Sequence, residues 1–484
     1  MGAYDTYQTP LDSRYSSEEM KRLFGRRSRH GTWRKLWLWL AEAEKECGLD
    51  ISDEAISQLA SHLEVTDKDF ELAAQEEKRR RHDVMSHVHV YGLSAPAAAG
   101  IIHAGATSCY ITDNTELILM KDGLDLLLPK LARVIHILSE FAMKWRHEPT
   151  LGYTHYQPAQ MVTVGKRAAG WIQDLMMDLE DMERAREDLK FRGAQGTTGT
   201  QASFMELFNG DEAKIDKLNV LLCEKSGFKE CYSVSTQTYT RKVDLRLANA
   251  ITGLGATVQR LTSDIRHLAN MKELEEPFEK DQIGSSAMAY KRNPMRSERL
   301  CSLGRKLASL PVNFSNTYTS QWLERSLDDS AIRRIDIPEM FLLADALLLG
   351  LENVANGLVV YPKRIDAHNR EELPFMITEN VIMKIVSKGG NRQDAHEKVR
   401  VLSHEAGHVV KHEGGQNDLI ERIKKDEYFK PVWDELGEMM DPKLYTGRSA
   451  AIVEKFCGQG SVVEQRLLPY KSYIDKAGTA ELNV

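Results

Sequence analysis

The chain has 484 residues, which at roughly 150 residues per domain predicts about three domains and excludes a peptide or a small staple-dependent scaffold. Lys plus Arg number 64 against 71 Asp plus Glu, a formal net charge of −7 with no sustained basic run, so nucleic acid is not expected as a partner, although local arginine clusters can hold small anions. Met1 to Pro10 lack a basic segment followed by an apolar core, and no stretch approaches the roughly 18–20 apolar residues of a membrane helix; the expectation is a cytoplasmic protein without a membrane partner.

With only 14 prolines and 32 glycines, long stretches run without breakers, and their apolar spacing is helical. The first hundred residues, including Trp33 to Trp39 and the charged run Glu76 to Arg81, predict shorter helices. Leu117, Met120, Leu124, Leu128, Leu131, Ile135 and Leu138 then recur at steps of three and four, with Pro129 as a candidate kink. Ile172, Leu175, Leu179, Met182 and Leu189 form a second stripe. Val243, Leu247, Ile251, Leu254, Val258, Leu261, Ile265 and Leu268 form the third, long enough for a helix of about 40 Å. Further helices fit Ser297 to Leu310 and Ile335 to Leu351. After Tyr361-Pro362 shorter helices are expected, separated by Gly389-Gly390 and Gly414-Gly415.

No alternation of strand and helix supports a parallel sheet. The predicted fold is all-α: an elongated central bundle over 111–364 with smaller helical domains at 1–110 and 365–484. Broad apolar stripes on helices of this length favour completion of the core by association, hence a homo-oligomer.

Several short motifs are uninformative. His404-Glu405-Ala406-Gly407-His408 satisfies HExxH, the helical histidine pair of zinc peptidases, but the extended form fails at Lys411 and Gly414, and no metal is expected. Gly253-Leu254-Gly255 has Val258 where a dinucleotide fingerprint needs glycine and lies within the helical stripe. There is no GxxxxGK[ST] loop. The six cysteines, Cys47, Cys109, Cys223, Cys231, Cys301 and Cys457, are dispersed and never form CxxC; they are expected to be reduced and mostly buried.

The informative segment is Gly284-Ser285-Ser286-Ala287-Met288-Ala289-Tyr290-Lys291-Arg292-Asn293-Pro294, whose small hydroxyl residues, glycine and adjacent cations suit a loop folded around an anion. It resembles the GSSxMPxKxNP signature of the fumarase/aspartase superfamily, with Ala289 in place of the usual proline. Within that superfamily the chain is most similar to the adenylosuccinate lyase family. The resemblance extends through Lys78 to Met85 (KRRRHDVM), Gly105 to Ser108 (GATS), Thr150 to Gln160 (TLGYTHYQPAQ), Gly196 to Gln201 (GTTGTQ), Gln237 to Lys242 (QTYTRK), Met295 to Arg299 (MRSER) and Leu327 to Ser330 (LDDS).

The resemblance implies a carbon–nitrogen lyase of purine biosynthesis. It would release fumarate from adenylosuccinate, giving AMP, and from succinylaminoimidazole carboxamide ribotide (SAICAR), giving AICAR. Such an elimination needs a base for a weakly acidic carbon proton, a cationic site for the carbanion and an acid for the leaving nitrogen; no cofactor is implied. The resemblance assigns Ser285 as base, His155 as acid and Lys291 as carbanion stabiliser, with His82 near the substrate phosphate and Glu298 a buried carboxylate supporting the histidines. His155 is expected in a loop before a helix starting near Val162. Substrate binding falls to Arg14, Tyr15, Arg81, His82, Asp83, Thr107, Ser108, Gln237, Arg299, Arg325, Ser330 and Arg334. The resemblance further implies a homotetramer whose active sites each collect segments from three subunits.

Overall fold

The computed structural model describes residues 5–476 and 478, and helices dominate it. The elements that position the site are α1 (Arg26–Glu46), α2 (Ser108–Lys144), the hairpin strands β1 (Pro149–Thr154) and β2 (Gln157–Thr163), then α3 (Val164–Glu187), α4 (Lys242–Asn270), α5 (Met295–Ser309) and α6 (Asp329–Asn356). At 1.5 Å per residue, the 37 residues of α2 span about 55 Å and the 29 of α4 about 43 Å. No helix among the described residues is long and apolar enough to cross a membrane.

The long helices form where the apolar stripes predict them. Every member of the Val243 to Leu268 stripe is buried along α4, and every member of the Leu117 to Leu138 stripe along α2, which continues through Pro129 as one element. Leu189 of the second stripe is buried but lies beyond the end of α3. α4 and α5 touch backbone to backbone: a Cβ on Gly255 would stand 2.6 Å from the Gly304 carbonyl oxygen, and one on Gly304 the same distance from that of Gly255. Gly255 of the dinucleotide-like pair thus serves close helix packing.

Two expectations differ from the structure. Trp33 to Trp39 belongs to a helix of 21 residues, because Trp33, Leu36, Trp37, Leu38 and Leu40 all find core contacts. The segment before α3 is an antiparallel hairpin, and α3 starts at Val164. The main core unites the N-terminal helices, the bundle and the last helices through Val453, Val463, Leu467 and Ile474. A second core gathers residues from Leu373 to Leu436 around Leu151 and Met161 of the hairpin. Residues 365–484 are therefore divided between the two cores.

At one end of the bundle a buried ionic network ties three helices together. Arg241, just before α4, donates to both carboxylate oxygens of Asp113 on α2 at 3.1 and 3.2 Å and to Asp329 on α6 at 2.5 Å. Arg333 of α6 donates to Asp244 at 3.0 Å and to the Tyr239 hydroxyl at 2.6 Å. Burial pushes the Asp113 carboxyl up, but the Arg241 and Arg333 guanidiniums outweigh it and hold it below its ordinary value.

Breaking a buried network leaves charges unpaired. Asp113→Ala is expected to destabilise the fold by about 3–5 kcal/mol, measured by urea unfolding. Glu44 of α1 is a different case: it is fully buried with neither carboxylate oxygen hydrogen-bonded, and burial raises its pKa from 4.5 to about 8. The fold favours the protonated acid, so stability present below the unfolded pKa is lost as pH rises through about 8, at up to about 1.4 kcal/mol per pH unit. Glu44→Gln should therefore match the wild type in thermal unfolding near pH 5 and exceed it increasingly towards pH 8.

Candidate active site

The expected site residues gather at opposite ends of α4. At the end where the chain enters that helix, His82 caps the helix Asp83–Ser94, its Nδ1 accepting from the Met85 N–H at 3.3 Å. That bond places the ring proton of neutral His82 on Nε2, which lies 3.3 Å from Oγ of Ser108, the first residue of α2. Two helix N-termini thus meet at His82, where free N–H groups and helix dipoles favour an anion. Thr107 precedes α2, and the turn into it requires glycine: Gly105 has φ +66 and a Cβ there would stand 2.8 Å from the Phe204 ring.

Arg81, exposed and at φ 57, ends the helix Asp67–Arg80 beside His82. Asp83 accepts from Arg334 at 2.7 Å; burial raises its pKa, but the guanidinium outweighs this and the group lies below its ordinary value. Arg325 donates to Cys109 Sγ at 3.3 Å, and that sulfur lies 4.0 Å from Gln237 Oε1. Ser330 and Arg334 follow one another on the first turns of α6.

At the other end of α4 lies the signature loop. Ser285 Oγ accepts from the N–H groups of Ala287 at 3.3 Å and Met288 at 3.1 Å. Asn293 Nδ2 donates to the Gly284 carbonyl at 2.8 Å and closes the loop on itself. Between the loop, the end of α4 and the start of α5 is a cavity of about 430 Å³, lined by Arg266, His267, Lys291, Arg292, Asn293 and Glu298 among others. Three cations against one carboxylate make it a site for anions. Glu298, expected to be buried, is exposed and lies 4.0 Å from Arg266, because it faces the open cavity.

His155 and Tyr156 form the two-residue turn between β1 and β2, at φ 53 and 59. Left-handed φ at both positions marks a type I′ hairpin turn, usually Asn-Gly; here two side chains carry a strain of about 1–2 kcal/mol each. The Tyr156 ring stands edge-on to His267, a lining residue of the cavity, at 6.0 Å, and His155 is its neighbour in the turn. Arg14 and Tyr15 occupy the turn Leu11–Tyr15, with the Arg299 guanidinium over the Tyr15 ring at 5.2 Å.

The His82 and Ser285 groups are thus separated by most of the length of α4, too far for one small substrate to bridge within one chain. His267 and Arg266 were not foreseen; their only sequence signal is two adjacent polar residues at the end of an apolar stripe. The HExxH residues are otherwise engaged: Glu405 accepts from Arg422 at 2.5 Å and His408 stacks on His412 at 4.6 Å. Among the described residues no group of three or more His, Cys, Asp or Glu could hold a metal ion.

The helical architecture is that of the fumarate lyases. The fold matches fumarate lyase from Mesorhizobium sp. BNC1 with a TM-score of 0.78 at 21% identity, covering 94% of this chain and 100% of that one. It also matches 3-carboxy-cis,cis-muconate lactonizing enzyme from Pseudomonas putida with a TM-score of 0.79 at 20% identity, covering 96% and 99%. Residues 14–307 match the family profile described as Lyase, and residues 374–456 the one described as Adenylosuccinate lyase C-terminus.

The chain is 55% identical to adenylosuccinate lyase of Schizosaccharomyces pombe and 54% identical to that of Saccharomyces cerevisiae, in each case over 98% of both chains. It is 50% identical to that of Schistosoma mansoni over 94% of this chain and 95% of the relative. The chain belongs to the adenylosuccinate lyase family.

The bond from Asn293 to Gly284 sets how often the signature loop opens. Asn293→Ala is expected to speed tryptic cleavage after Lys291 and Arg292 several-fold while leaving the global unfolding midpoint unchanged; equal cleavage rates would show that the loop is held elsewhere.

Proposed function

We propose that the protein cleaves adenylosuccinate to AMP and fumarate, and SAICAR to AICAR and fumarate, by cofactor-free β-elimination in the cytoplasm. The observation that carries this reading is a serine hydroxyl held by two backbone N–H groups beside a cation-lined cavity, in a chain of this family.

Ser285 acts as the base. A serine hydroxyl is a poor base in water, but hydrogen bonds donated to Oγ and a nearby ammonium favour the alkoxide; two N–H groups supply the first, and closure of the loop would bring Lys291 to supply the second. The same two bonds favour Ser285 over Ser286. Ser285 removes the proton from the succinyl carbon next to a carboxylate, and the electron pair moves into that carboxylate, whose second negative charge Lys291 stabilises. The C–N bond of the neighbouring carbon then breaks, and His155 delivers a proton to the departing nitrogen. Glu298 is the one carboxylate lining the cavity, and its proposed role is to orient an imidazole brought there with the substrate.

The substrate's phosphate is held at the other group. There Nε2–H of His82, Arg81, Thr107, Ser108 and the start of α2 present donors to a phosphate; Gln237, Arg325, Ser330 and Arg334 complete the edge, and Asp83 fixes Arg334. Arg14, Tyr15 and Arg299 add a further binding edge. Because the two groups lie at opposite ends of α4, they combine only between chains, which supports a homotetramer with sites drawn from three subunits. The exposed apolar side chains Trp322, Leu323, Leu327 and Ile335 are further support for self-association.

The test is the absorbance change on mixing the protein with adenylosuccinate, with both products confirmed by chromatography. AMP and fumarate are expected in equal amounts, and His155→Ala should lower kcat by about 10²–10⁴-fold. A folded tetramer that forms neither product would overturn the assignment. His82→Ala and Ser285→Ala should each be inactive alone, and mixing them with subunit exchange should recover roughly a quarter of wild-type activity. No recovery after confirmed exchange would count against shared sites.

A further inference from the structure

Cys223 and Cys231 face each other with their sulfurs 3.4 Å apart, and among the described residues no other two cysteine sulfurs make such a contact. Cys223 is buried in the last turn of the helix Glu212–Ser226, and Cys231 is partly exposed. The approach is built by the backbone. Gly227, at φ +72, ends the helix and turns the chain; the Phe228 N–H bonds the Cys223 carbonyl at 3.1 Å, and the Phe228 ring packs on Phe191 at 5.3 Å. Cys231 then pairs with Phe191, fixed by Phe191 N–H to the Glu230 carbonyl and Tyr232 N–H to the Phe191 carbonyl.

The pair braces the strap 191–201. Asn219 Oδ1 lies 3.7 Å from Cys231 Sγ and accepts from the Ala194 N–H at 2.8 Å. A Cβ on Gly193 would stand 2.6 Å from Cys231 Sγ, so the strap rests directly on that sulfur. Farther along, Arg192 donates to the carbonyls of Gly196 at 3.0 Å and Thr236 at 3.5 Å, next to Gln237.

We propose that Cys223 and Cys231 are a reversible dithiol–disulfide site, closed by exchange with a small-molecule disulfide. The pair loses one proton, transfer of the remaining S–H proton across the 3.4 Å contact places the thiolate on the partly exposed Cys231, and that thiolate attacks one sulfur of the external disulfide RSSR, forming a mixed disulfide and releasing one thiolate. The Cys223 thiolate then attacks the Cys231 sulfur and expels the second. Two protein thiols are oxidised and RSSR is reduced to two RSH, which take up the two protons. The sulfurs must close from 3.4 Å to about 2.05 Å, a movement within reach of side-chain rotation. The shared S–H favours loss of a first proton from the pair, lowering Cys223 through its hydrogen bond with Cys231, and opposes loss of the second.

The other cysteines serve as internal controls. Cys47, Cys109 and Cys301 are buried, and burial pushes the Cys457 thiol up to about 11. The reaction is independent of any lyase activity and is read chemically. Reduced full-length protein is incubated with oxidised glutathione, alkylated, and digested with trypsin without reduction. Lys225 and Lys229 lie between the two cysteines, so a disulfide appears as a linked pair of peptides.

The expected result is loss of two of the six thiols and a chain lighter by about 2 Da, reversed by dithiothreitol. Cys223→Ser should stall as a stable glutathione adduct on Cys231. Retention of all six thiols by the wild type, a lasting wild-type adduct on one cysteine, or a bond between any other pair would overturn the proposal.

Discussion

The arrangement of the molecule depends on the ionic network around Asp113, Arg241 and Arg333. Charges so deeply buried are tolerated only with several partners each, and here three carboxylates, Asp113, Asp244 and Asp329, face two guanidiniums, with Arg192 and Arg325 close by. The network fixes the starts of α4 and α6 against the first turns of α2. Ser108, Ser330 and Arg334 lie on the first turns of α2 and α6 and Gln237 lies four residues before Arg241, so a buried set of charges positions a half-buried polar set and the exposed Arg334. Arg325 belongs to both: it pairs with Asp329 at 3.3 Å inside and reaches Cys109 at the edge of the site. Arg241 and Asp329 lie in family-like motifs, yet both are buried and make their contacts within the protein interior.

The length of α4 is the second constraint. A straight apolar stripe of 29 residues holds its two ends about 43 Å apart, and each end carries part of the expected chemistry. Close packing against α5 at Gly255 and Gly304 leaves no space for a side chain between the two helices at that point. The candidate residues of one chain therefore form two separate groups, each in a defined position at its own end of α4.

The helices were legible because their signal is periodic, and burial of one face is what the period of 3.6 encodes. Strands of the hairpin were not, since Gly152 and Pro158 interrupt any alternation and a register shift lies between Leu151 and Tyr153. Its turn carries His155-Tyr156 in a conformation that sequence rules associate with Asn-Gly. Glu44 sits in the run Glu42 to Glu46, which reads as a solvated face, and only the packing of α1 shows that it is buried. The Cys223–Cys231 contact was invisible for a similar reason: a spacing of eight fits no motif, and the contact exists because Gly227 reverses the chain. Candidate site residues were legible through resemblance, whereas their division between two ends was not, because distance along a helix bundle has no local sequence signal.

The signature loop offers a physical route by which a weak base could be strengthened only when needed. Its internal bonds are few: the two N–H groups on Ser285, the Asn293 bond to Gly284 and the Lys291 N–H to Met288. Met288 and Tyr290 point into solvent, so little apolar burial opposes movement of the loop. Gly284 holds the hinge side tight, since a Cβ there would stand 2.2 Å from the Lys291 carbonyl oxygen. A loop anchored at its ends and loose at its tip can close over a bound anion, using substrate contacts to bring Lys291 and exclude water from Ser285. Ala289, where the family signature has proline, leaves the open loop more conformations to lose. Because Ala289 leaves the side chains of Ser285 and Lys291 as they are, its expected effect is on the loop's conformational freedom and not on the proposed proton transfer.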